Sequence, residues 1–491
     1  MRWLRDCKQI DQILLVSGAR AEGLSEETLR SVRWIPVAEF DYDRADDASE
    51  SLADRSSRIA MRLEASIREA GLSKDDSILH WHNHSLGKNT AAPSSIRRLA
   101  KAGWRLLLQI HDFAEDNRPE NYQRLIEVSG AADKSELDRY LYPVSNHIHY
   151  ATLSRSDASV LTRLGILSTY CLPNSVALSQ SEQPAKEHAL AKVCQAMQLP
   201  PNARWSLYPV RGIRRKNVGE LLLISRWLRE DHFAGITLAP TTPVERRSYE
   251  RWRTVASEFA PQAIFDAGHH ADVSFTDNIA AADSIVSTSV AEGFGMAFLE
   301  PWLAQREVIA RRLPTVTNDF EACGVMLPKL YDQIPIPGDP TWIRACRDET
   351  KTAMAAAWAT VPTKFRPNLE VDAADSTCID FARLTPQRQV EILVRSKADA
   401  GFESAVKSLS ADLVRQLSAE SDPHLVADNA RVIGDHYSIA STGAKLLQIY
   451  DTLQKTPTDG PIDGPGQAGI GVDLINRTRP FFPCRTEVMD V

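Results

Sequence analysis

The feature that most constrains the fold is an alternation, repeated twice along the chain, of short apolar runs with segments of helical periodicity. In the first series, between residue 12 and about 176, helices are predicted over 48–70, 94–102, 121–129 and 155–164. The strand candidates between and around them are QILLVSG, RWIPVAEF, SILHWHN, RLLLQIHD, HYATLS and YCLPNSV. Because parallel strands need a crossover between them, this order predicts a parallel sheet and an α/β fold.

A second series of the same kind follows. Its predicted strands and helices alternate as 205–210, 218–229, 235–239, 245–259, 262–266, 273–282, 284–288, 295–305 and 307–310. Residues 177–203 show no strand pattern and end in Pro200-Pro201, so we interpret them as a connection. The second series therefore predicts a second doubly wound unit.

The length of 491 residues exceeds what one hydrophobic core usually supports. We predict an N-terminal Rossmann-like domain over 1–190 and a C-terminal one over 200–435. A helix over 436–456 is expected to return to the N-terminal domain. Residues 457–491 contain several Gly and Pro residues and are predicted to be an extended or partly disordered tail, which Phe481 and Phe482 would dock.

Composition excludes several classes of function. The formal net charge is −7 and the apolar and charged fractions, 43% and 25%, are those of a globular protein, which argues against nucleic-acid or anionic-membrane partners. The seven cysteines include no C-x-x-C pair, which is typical of reduced thiols. No run of about 18 apolar residues occurs and charges interrupt the N-terminal segment, so we expect a cytoplasmic protein without a transmembrane segment.

Two carboxylates bracket a glycine-rich turn in VAEGFGMAFLEPWLA, residues 290–304: Glu292 precedes Gly293-Phe294-Gly295, and Glu300 follows it. The turn follows a predicted strand, and ligands of open parallel sheets bind beyond the carboxyl ends of strands. Glycines allow close backbone approach, and carboxylates accept hydrogen bonds from vicinal hydroxyls. A solvated loop with no ligand is the alternative.

Four cations crowd the loop in LYPVRGIRRKNVGE, namely Arg211, Arg214, Arg215 and Lys216. Such a loop at the end of a strand suits a diphosphate, because arginine offers a bidentate fork and lysine a mobile point charge. A solvated basic turn is the alternative. Asn217 and Glu220 are predicted to form a capping box for the next helix. Together the two loops favour a ligand that carries both phosphates and hydroxyls.

The spacing of these residues resembles a known family. Arg211 and Lys216 are separated by four residues and Glu292 and Glu300 by seven, and EGFGMAFLEPWLAQREVIA is similar throughout to the E-x7-E signature of the retaining glycosyltransferases of family 4. The resemblance covers roughly 12–310 and the segment YSIASTGAKLLQIYDTL. It implies the α/β GT-B fold, with two Rossmann-like doubly wound domains facing a cleft and a helical C-terminal extension.

The resemblance also implies an activity: a metal-independent hexosyltransferase with no cofactor. Its donor would be a nucleoside-diphosphate sugar, and its acceptor a sugar, a lipid-linked or a small molecule. Arg211 and Lys216 would neutralise the diphosphate. Glu292, with the amides of Gly293, Phe294 and Gly295, would hold the transferred sugar, and Glu300 the ribose.

Further roles and departures follow from the same resemblance. His111 would contact the donor sugar, and Gly18, which lies where the family usually has a Gly-Gly pair, would also bind the donor. The segment RRLPTVTND stands where the family usually has G-G-x-P-E, and Pro301 replaces a usual alanine and is expected to bend its helix.

The histidines leave several interpretations open. His80, His82 and His84 alternate in ILHWHNH and would share one face of a strand, as zinc ligands, as acceptor-site residues or as packed side chains. His111 either contacts the donor sugar or is hydrogen-bonded to Asp112 or Asp116.

Two other functions compete with the transferase. One is a GT-B epimerase or phosphorylase, which the E-x7-E and Arg/Lys pattern fits less well. The other is a non-catalytic carbohydrate- or nucleotide-binding protein, against which the complete set of four site residues argues, because losing any would leave phosphate charge or hydroxyls unpaired.

Overall fold

The computed structural model describes residues 7, 9–20, 24–43, 50–177, 184–270, 272–368 and 377–486. The chain divides into two compact units. Unit 1 comprises the described residues of Met1–Ser175, Trp358–Leu369 and Tyr437–Arg479, and unit 2 comprises those of Val176–Ala357, Glu370–His436 and Pro480–Val491.

Unit 1 is built on parallel strands. Strands β1 (Leu14–Ser17) and β2 (Arg33–Pro36) pair with each other in a two-stranded sheet. A four-stranded parallel sheet follows chain order, with strands β3 (Ile78–His82), β4 (Arg105–Ile110), β5 (Ile148–Thr152) and β6 (Thr169–Cys171). Leu106, Leu107 and Leu108 of β4 are all fully buried, as expected for a parallel sheet covered on both faces.

Eight α-helices occur in the described part of unit 1. They are Glu26–Ser31, Leu52–Glu69, Ala92–Lys101, Pro119–Ser129, Lys134–Leu141, Arg155–Arg163, Ile439–Gln454 and Gly471–Thr478. The helix Leu52–Glu69 buries Ile59, Leu63 and Ile67 at helical spacing, which explains why its position was predictable. The helix Lys134–Leu141 was not predicted.

The helix Ile439–Gln454 belongs to unit 1 although it lies far along the chain. Its Ile449 and Leu453 pack with Leu107 of β4, and its Tyr450 hydroxyl is hydrogen-bonded to His80 of β3. This is the segment for which a return to the N-terminal half was predicted.

Unit 2 holds a six-stranded parallel sheet. Its strands are β7 (Arg204–Arg211), β8 (His232–Leu238), β9 (Ala263–Ile264), β10 (Ser284–Ser287), β11 (Glu307–Arg311) and β12 (Leu330–Tyr331). Their spatial order is β12-β11-β10-β7-β8-β9, so the winding direction reverses between β7 and β10. This is the doubly wound Rossmann order.

The other elements of unit 2 cover and extend this sheet. Strands β13 (Pro335–Pro337) and β14 (Cys378–Asp380) form a small antiparallel pair. The helices are Lys186–Met197, Val218–Ser225, Pro243–Phe259, Phe275–Ala281, Glu300–Leu303, Pro314–Ala322, Pro340–Ala357, Pro386–Ala398, Ala400–Leu409, Ala411–Ser418 and Pro423–Tyr437. All eight residues of Val218–Ser225 are buried, because this helix lies between the sheet and the later helices. The predicted α/β fold with additional C-terminal helices is confirmed.

The end of the chain differs from the prediction. The expectation of an extended tail is wrong for Gly471–Thr478, which is a helix that buries Val472, Leu474 and Ile475. These apolar residues lie at helical spacing, and packing of that face outweighs the neighbouring glycines and prolines. Phe481 and Phe482 are buried in unit 2, and residues 487–491 lie outside the described residues. Nowhere in the described chain is a helix both long enough and apolar enough to cross a bilayer.

Candidate functional site

The two loops singled out from the sequence follow neighbouring strands of unit 2. Strands β7 and β10 are paired, and the sheet reverses its winding between them. At such a switch point the helices that follow the two strands lie on opposite faces, which leaves a crevice beyond the strand ends. The basic loop follows β7 and the Glu-Gly-Phe-Gly loop follows β10, so the topology brings both predicted loops to one place.

The basic loop turns through a 3-10 helix, Arg214–Lys216, and then Asn217, whose φ of 48° is left-handed. The predicted capping box is wrong, because Asn217 in this conformation makes no side-chain cap. Its Nδ2 instead donates a hydrogen bond of 2.9 Å to Glu220. Asparagine is one of the few residues that tolerate left-handed backbone, which suits it to this position.

Lys216 and Glu292 form the centre of the site. The Lys216 ammonium donates to Glu292 Oε1, and both side chains are more than nine-tenths buried. Burial alone would raise the pKa of Glu292, but the charges of Lys216 and Arg215 hold it below its ordinary value. Glu292 is therefore an ionised carboxylate at neutral pH, and it can accept hydrogen bonds but not supply a proton.

Hydrogen bonds from neighbouring hydroxyl groups hold the Lys216–Glu292 pair in place. Ser289 Oγ donates to Glu292 Oε1 at 2.6 Å, and the buried Tyr208 hydroxyl lies 2.7 Å from Ser289 Oγ. The Thr288 hydroxyl donates to the Lys216 carbonyl at 2.8 Å. Since Glu292 Oε1 already accepts from two donors, its Oε2 is the oxygen left for further partners.

The three arginines of the basic loop differ in what they contact. Arg214 is committed to the fold, because its guanidinium donates to Glu245 and to the Thr486 carbonyl. Arg215 lies 3.9 Å from Glu292 Oε2. Arg211 is exposed and donates to the Ala239 carbonyl at 3.2 Å, with no ion pair among the described residues. Arg211 and Arg215 are thus the arginines able to meet an anion.

In the Gly-Phe-Gly turn, a ligand could contact the backbone but not the phenylalanine ring. Gly295 has a φ of 87°, and a Cβ there would lie 2.6 Å from Val316, so only glycine fits. The Phe294 ring is buried against Phe320. Any contact of Phe294 with a ligand would therefore come from its amide, and Gly293 precedes it without a side chain.

Glu300 has surroundings opposite to those of Glu292. The single helix predicted over 295–305 is wrong: a 3-10 helix, Met296–Phe298, is followed by a short helix, Glu300–Leu303. Pro301 has no N–H and suits a first turn, so a new helix starts beside it. The half-buried Glu300 carboxylate has no hydrogen bond or ion pair among the described residues, and burial raises its pKa.

Sequence reasoning missed a buried ion cluster behind the site. The Arg311 guanidinium donates to both oxygens of Glu220, at 2.9 and 2.6 Å, and to both oxygens of Asp380, at 2.9 Å each. The Tyr331 hydroxyl also donates to Glu220 at 2.7 Å. Glu220 in turn holds Asn217, so the cluster fixes the end of the basic loop. An arginine within the apolar strand segment was the available signal, but nothing in the sequence indicated its partners.

In unit 1, strand β3 ends at His82, and the left-handed Asn83 then turns the chain. The rings of His80 and His82 stack with centroids 4.4 Å apart, as predicted for alternate residues of a strand. His84 does not share their face, so that prediction is wrong: its Nε2–H donates to the Leu141 carbonyl at 2.9 Å, and it is buried. The positive φ of Asn83 (53°) is the physical reason.

His111 lies beside His82. Its Nε2 is hydrogen-bonded to His82 Nδ1 at 2.9 Å, rather than to Asp112 or Asp116. Asn83 Oδ1 accepts from the backbone N–H of His111 at 2.7 Å, which ties the ends of β3 and β4 together. No sequence signal indicated this histidine pair.

Gly18 closes the loop after β1. A Cβ at this position would lie 1.9 Å from Asp41 Oδ1, and the Ala19 N–H donates to the same oxygen at 3.1 Å. A larger residue at position 18 would therefore force the Asp41 side chain to move. Across the part of the chain that the structure describes, no group of three or more His, Cys, Asp or Glu residues is arranged to hold a metal ion.

Comparison with known proteins gives the following relatives. No protein-family model matches the chain. The mannosylglucosyl-3-phosphoglycerate synthase of Petrotoga mobilis is 26% identical over 396 residues, which cover 77% of this chain and 74% of that protein. Among solved structures, the sucrose-phosphate synthase of Thermosynechococcus elongatus has a TM-score of 0.48 at 12% identity, over 90% of this chain and 89% of that chain. The starch synthase IV catalytic domain of Arabidopsis thaliana has a TM-score of 0.47 at 14% identity, over 85% and 80%.

Proposed function

We propose that this chain, a glycosyltransferase, transfers a hexose from a nucleoside-diphosphate sugar with retention of anomeric configuration and without a metal ion. The observation that carries the proposal is the buried Lys216–Glu292 pair at the switch point of unit 2. Glu300, which has no ion pair with any residue that the structure describes, lies eight residues further along the chain. Support also comes from the family 4 signature and from the synthase of Petrotoga mobilis.

The cations suit the diphosphate. Arg211 and Arg215 are not fully committed to other groups, and Lys216 exchanges part of its contact with Glu292 for a phosphate oxygen when the donor binds. In the reaction the bond between the anomeric carbon and the diphosphate oxygen breaks, and the acceptor oxygen forms the new bond. The acceptor proton passes to the departing phosphate. Lys216 stabilises the negative charge that grows on this leaving group.

The two carboxylates suit hydroxyls of different parts of the donor. Glu292 is held ionised with Oε2 free of its hydroxyl and lysine partners, so it accepts from the transferred sugar. Glu300 lacks a protein partner among the described residues, so it accepts from the ribose. A half-buried carboxylate without a partner is costly, and a pair of ribose hydroxyls would remove that cost.

For the acceptor, we propose a small phosphorylated or carboxylated molecule rather than a lipid-linked sugar. The support is the name of the Petrotoga mobilis relative, whose product is a phosphoglycerate glycoside. We further propose a cytoplasmic location, with support from the seven cysteines of the sequence, which include no C-x-x-C pair.

The test begins with a thermal-shift screen of UDP, GDP and ADP, because a ligand at 100 times its dissociation constant adds about 2.7 kcal/mol of stability. The matching nucleotide sugars are then incubated with the enzyme in EDTA, and NMR detects the released sugar and its anomeric configuration. Slow release of the retained anomer is expected. Binding without any release would favour a non-catalytic binding protein, an epimerised nucleotide sugar would favour the epimerase, and loss of activity in EDTA would contradict metal independence.

A further inference from the structure

Residues 481–486, which we call the strap, pack against unit 2 far along the chain from the rest of the site. Phe481, Phe482 and Cys484 are all buried, and the segment turns through a 3-10 helix, Pro483–Arg485. Burial of two aromatic rings within so short a segment strongly favours the docked position. The reaction proposed above assigns no role to these residues.

The strap contacts the loop that carries Glu292. Phe482 and Cys484 pack in one apolar cluster with Val290. Val290 precedes Glu292 by two residues, and its N–H donates to the Arg215 carbonyl at 3.0 Å. Phe482 therefore packs on the residue that joins the backbone of the Glu-Gly-Phe-Gly loop to the backbone of the basic loop.

The strap also contacts the basic loop directly. The Arg214 guanidinium donates to the Thr486 carbonyl at 2.9 Å, and it donates to Glu245 at 3.1 Å. Arg214 begins the 3-10 turn that ends at Lys216. The strap therefore helps to hold the first residue of the turn that presents Lys216.

Arg383 of unit 2 holds the strap in place. Its Nη1 donates to the Phe481 carbonyl at 2.7 Å, and its guanidinium lies over the Phe482 ring, 4.7 Å from the ring centroid. A cation over an aromatic face is attracted by the negative face of the ring. The hydrogen bond and the ring contact together fix the position of the strap on unit 2.

We propose that the strap is a positioning element of the donor site, whose docking holds the two loops in the arrangement that binds the diphosphate, an inference that rests on the proposed function. Because the strap contacts both loops, its docking and the binding of a diphosphate favour each other. Such coupling is reciprocal, so a bound nucleoside diphosphate also keeps the strap docked. Phe482 is the main positioning residue, since it packs with Val290 and lies under Arg383.

The first experiment is calorimetry of the full-length protein with the strongest binder among UDP, GDP and ADP. Phe482→Ala removes the ring, and Phe482→Leu keeps apolar contact with Val290. Phe402→Ala is the matched control, because Phe402 is also buried in unit 2 and Arg395 lies over its ring at 3.9 Å. Phe482→Ala should weaken binding at least about fivefold, the lower end of typical coupling between sites. Phe482→Leu should recover part of this loss, and Phe402→Ala should bind as wild type does.

Folded Phe482→Ala protein with wild-type affinity would overturn the inference. So would equal weakening of binding in Phe402→Ala, because the effect would then come from lost packing in general.

A second measurement uses the wild-type protein. Cys484 and Cys194 are buried to a similar extent in unit 2, and burial raises the pKa of both thiols, so each reacts only when its surroundings open. Alkylation by iodoacetamide is followed at each cysteine by mass spectrometry, with and without the nucleoside diphosphate. The ligand should slow alkylation of Cys484 at least about fivefold more than that of Cys194. Equal protection of the two thiols would overturn the inference.

Failure of this inference is distinguishable from failure of the proposed function. Wild-type protein that binds none of UDP, GDP and ADP would refute the proposed function and this inference with it. Wild-type protein that binds one of them, with an affinity that Phe482→Ala leaves unchanged and no preferential protection of Cys484, would overturn this inference alone.

Discussion

Two buried glutamates, Glu115 in unit 1 and Glu292 in unit 2, have opposite pKa shifts although each follows a strand of a parallel sheet. Glu115 is 1% exposed, and burial raises its pKa to about 7. The side chain of Glu292 is 8% exposed, yet its pKa lies below the ordinary value. The difference lies in the cations. Lys216 contacts Glu292, whereas Arg479, the cation near Glu115, is bound to Asp116 and Asp157.

At these strand ends, burial and a neighbouring charge therefore shift the pKa of a carboxylate independently. Glu115 accepts one hydrogen bond, from the Tyr142 hydroxyl at 2.7 Å, and its other oxygen has no hydrogen-bond partner in the described structure. Glu115 is therefore easily protonated, and its contacts lie in the interior of unit 1. Glu292 keeps its charge because Lys216 compensates it, and under the proposed function this pair binds a donor that carries both negative charge and hydroxyls.

The largest effect is expected for Lys216→Ala, which should let burial raise the pKa of Glu292 as it raises the pKa of Glu115. Turnover should fall at least about 100-fold, because a preorganised donor to the leaving group is lost. Stability should also fall, by about 3–5 kcal/mol, because a buried carboxylate loses its partner. Lys216→Arg should recover activity only in part, since a planar fork cannot reproduce a point ammonium. Steady-state kinetics and urea unfolding measure the two effects.

Lys329→Ala is the matched control for this change. Lys329 forms an ion pair with the buried Glu307 in the same unit, and its side chain is 14% exposed. The control should also lose stability but should keep turnover per folded molecule. Equal losses of turnover in the two variants would mean that Lys216 acts through folding alone.

The second change, Glu115→Gln, tests the raised pKa of the buried carboxylate in unit 1. Because the folded-state pKa of Glu115 is raised from 4.5 to about 7, the stability it contributes is full below pH 4.5 and is lost as the pH rises to about 7. Glutamine removes this dependence, so at pH 8 the variant should gain up to about 3 kcal/mol relative to wild type. The gain should be much smaller at pH 5. Urea unfolding at both pH values checks it, and a gain independent of pH would contradict the raised pKa.

A third test compares the two carboxylates of unit 2. Glu300→Gln should weaken a nucleoside diphosphate by about 1.5–3 kcal/mol, roughly 10- to 150-fold, because the amide loses a charge-assisted acceptor for the ribose. Glu292→Gln should leave this affinity unchanged or improve it, since Lys216 loses its internal partner, while turnover falls. Calorimetry with the nucleoside diphosphate separates the two cases. Equal weakening in both variants would refute the assignment of ribose to Glu300 and sugar to Glu292.

The sequence predicted those parts of the molecule that depend on local pattern. Five strands of the six-stranded sheet of unit 2 were found within a few residues, because apolar runs and helical periodicity are local signals, whereas β12 and the small pair of β13 and β14 were not predicted. The two loops at the switch point were also predictable, since the glycines and the cations are contiguous in sequence. The helix over 295–305 and the position of His84 were wrong, because each depended on one residue, Pro301 or Asn83, that redirects the backbone.

Other features needed the tertiary structure. Lys216 and Glu292 are 76 residues apart, and Glu220 and Arg311 are 91 apart, so no spacing rule pairs them. The contact between His82 and His111 depends on the register of β3 and β4, which sequence pattern alone leaves open. Local chemistry therefore predicted the candidate site residues, while their partners became visible only in the fold.

The central claim is that Lys216 binds the diphosphate of the donor in addition to its contact with Glu292. Calorimetric titration of one nucleoside diphosphate tests this claim most directly. The ligand is the strongest binder among UDP, GDP and ADP, and the proteins are wild type, Lys216→Ala and Lys329→Ala. We predict that Lys216→Ala weakens binding at least about 10-fold, a charge-assisted contact of about 1.4 kcal/mol or more, while Lys329→Ala binds as wild type does. Folded Lys216→Ala protein that binds the nucleoside diphosphate with wild-type affinity would contradict the claim.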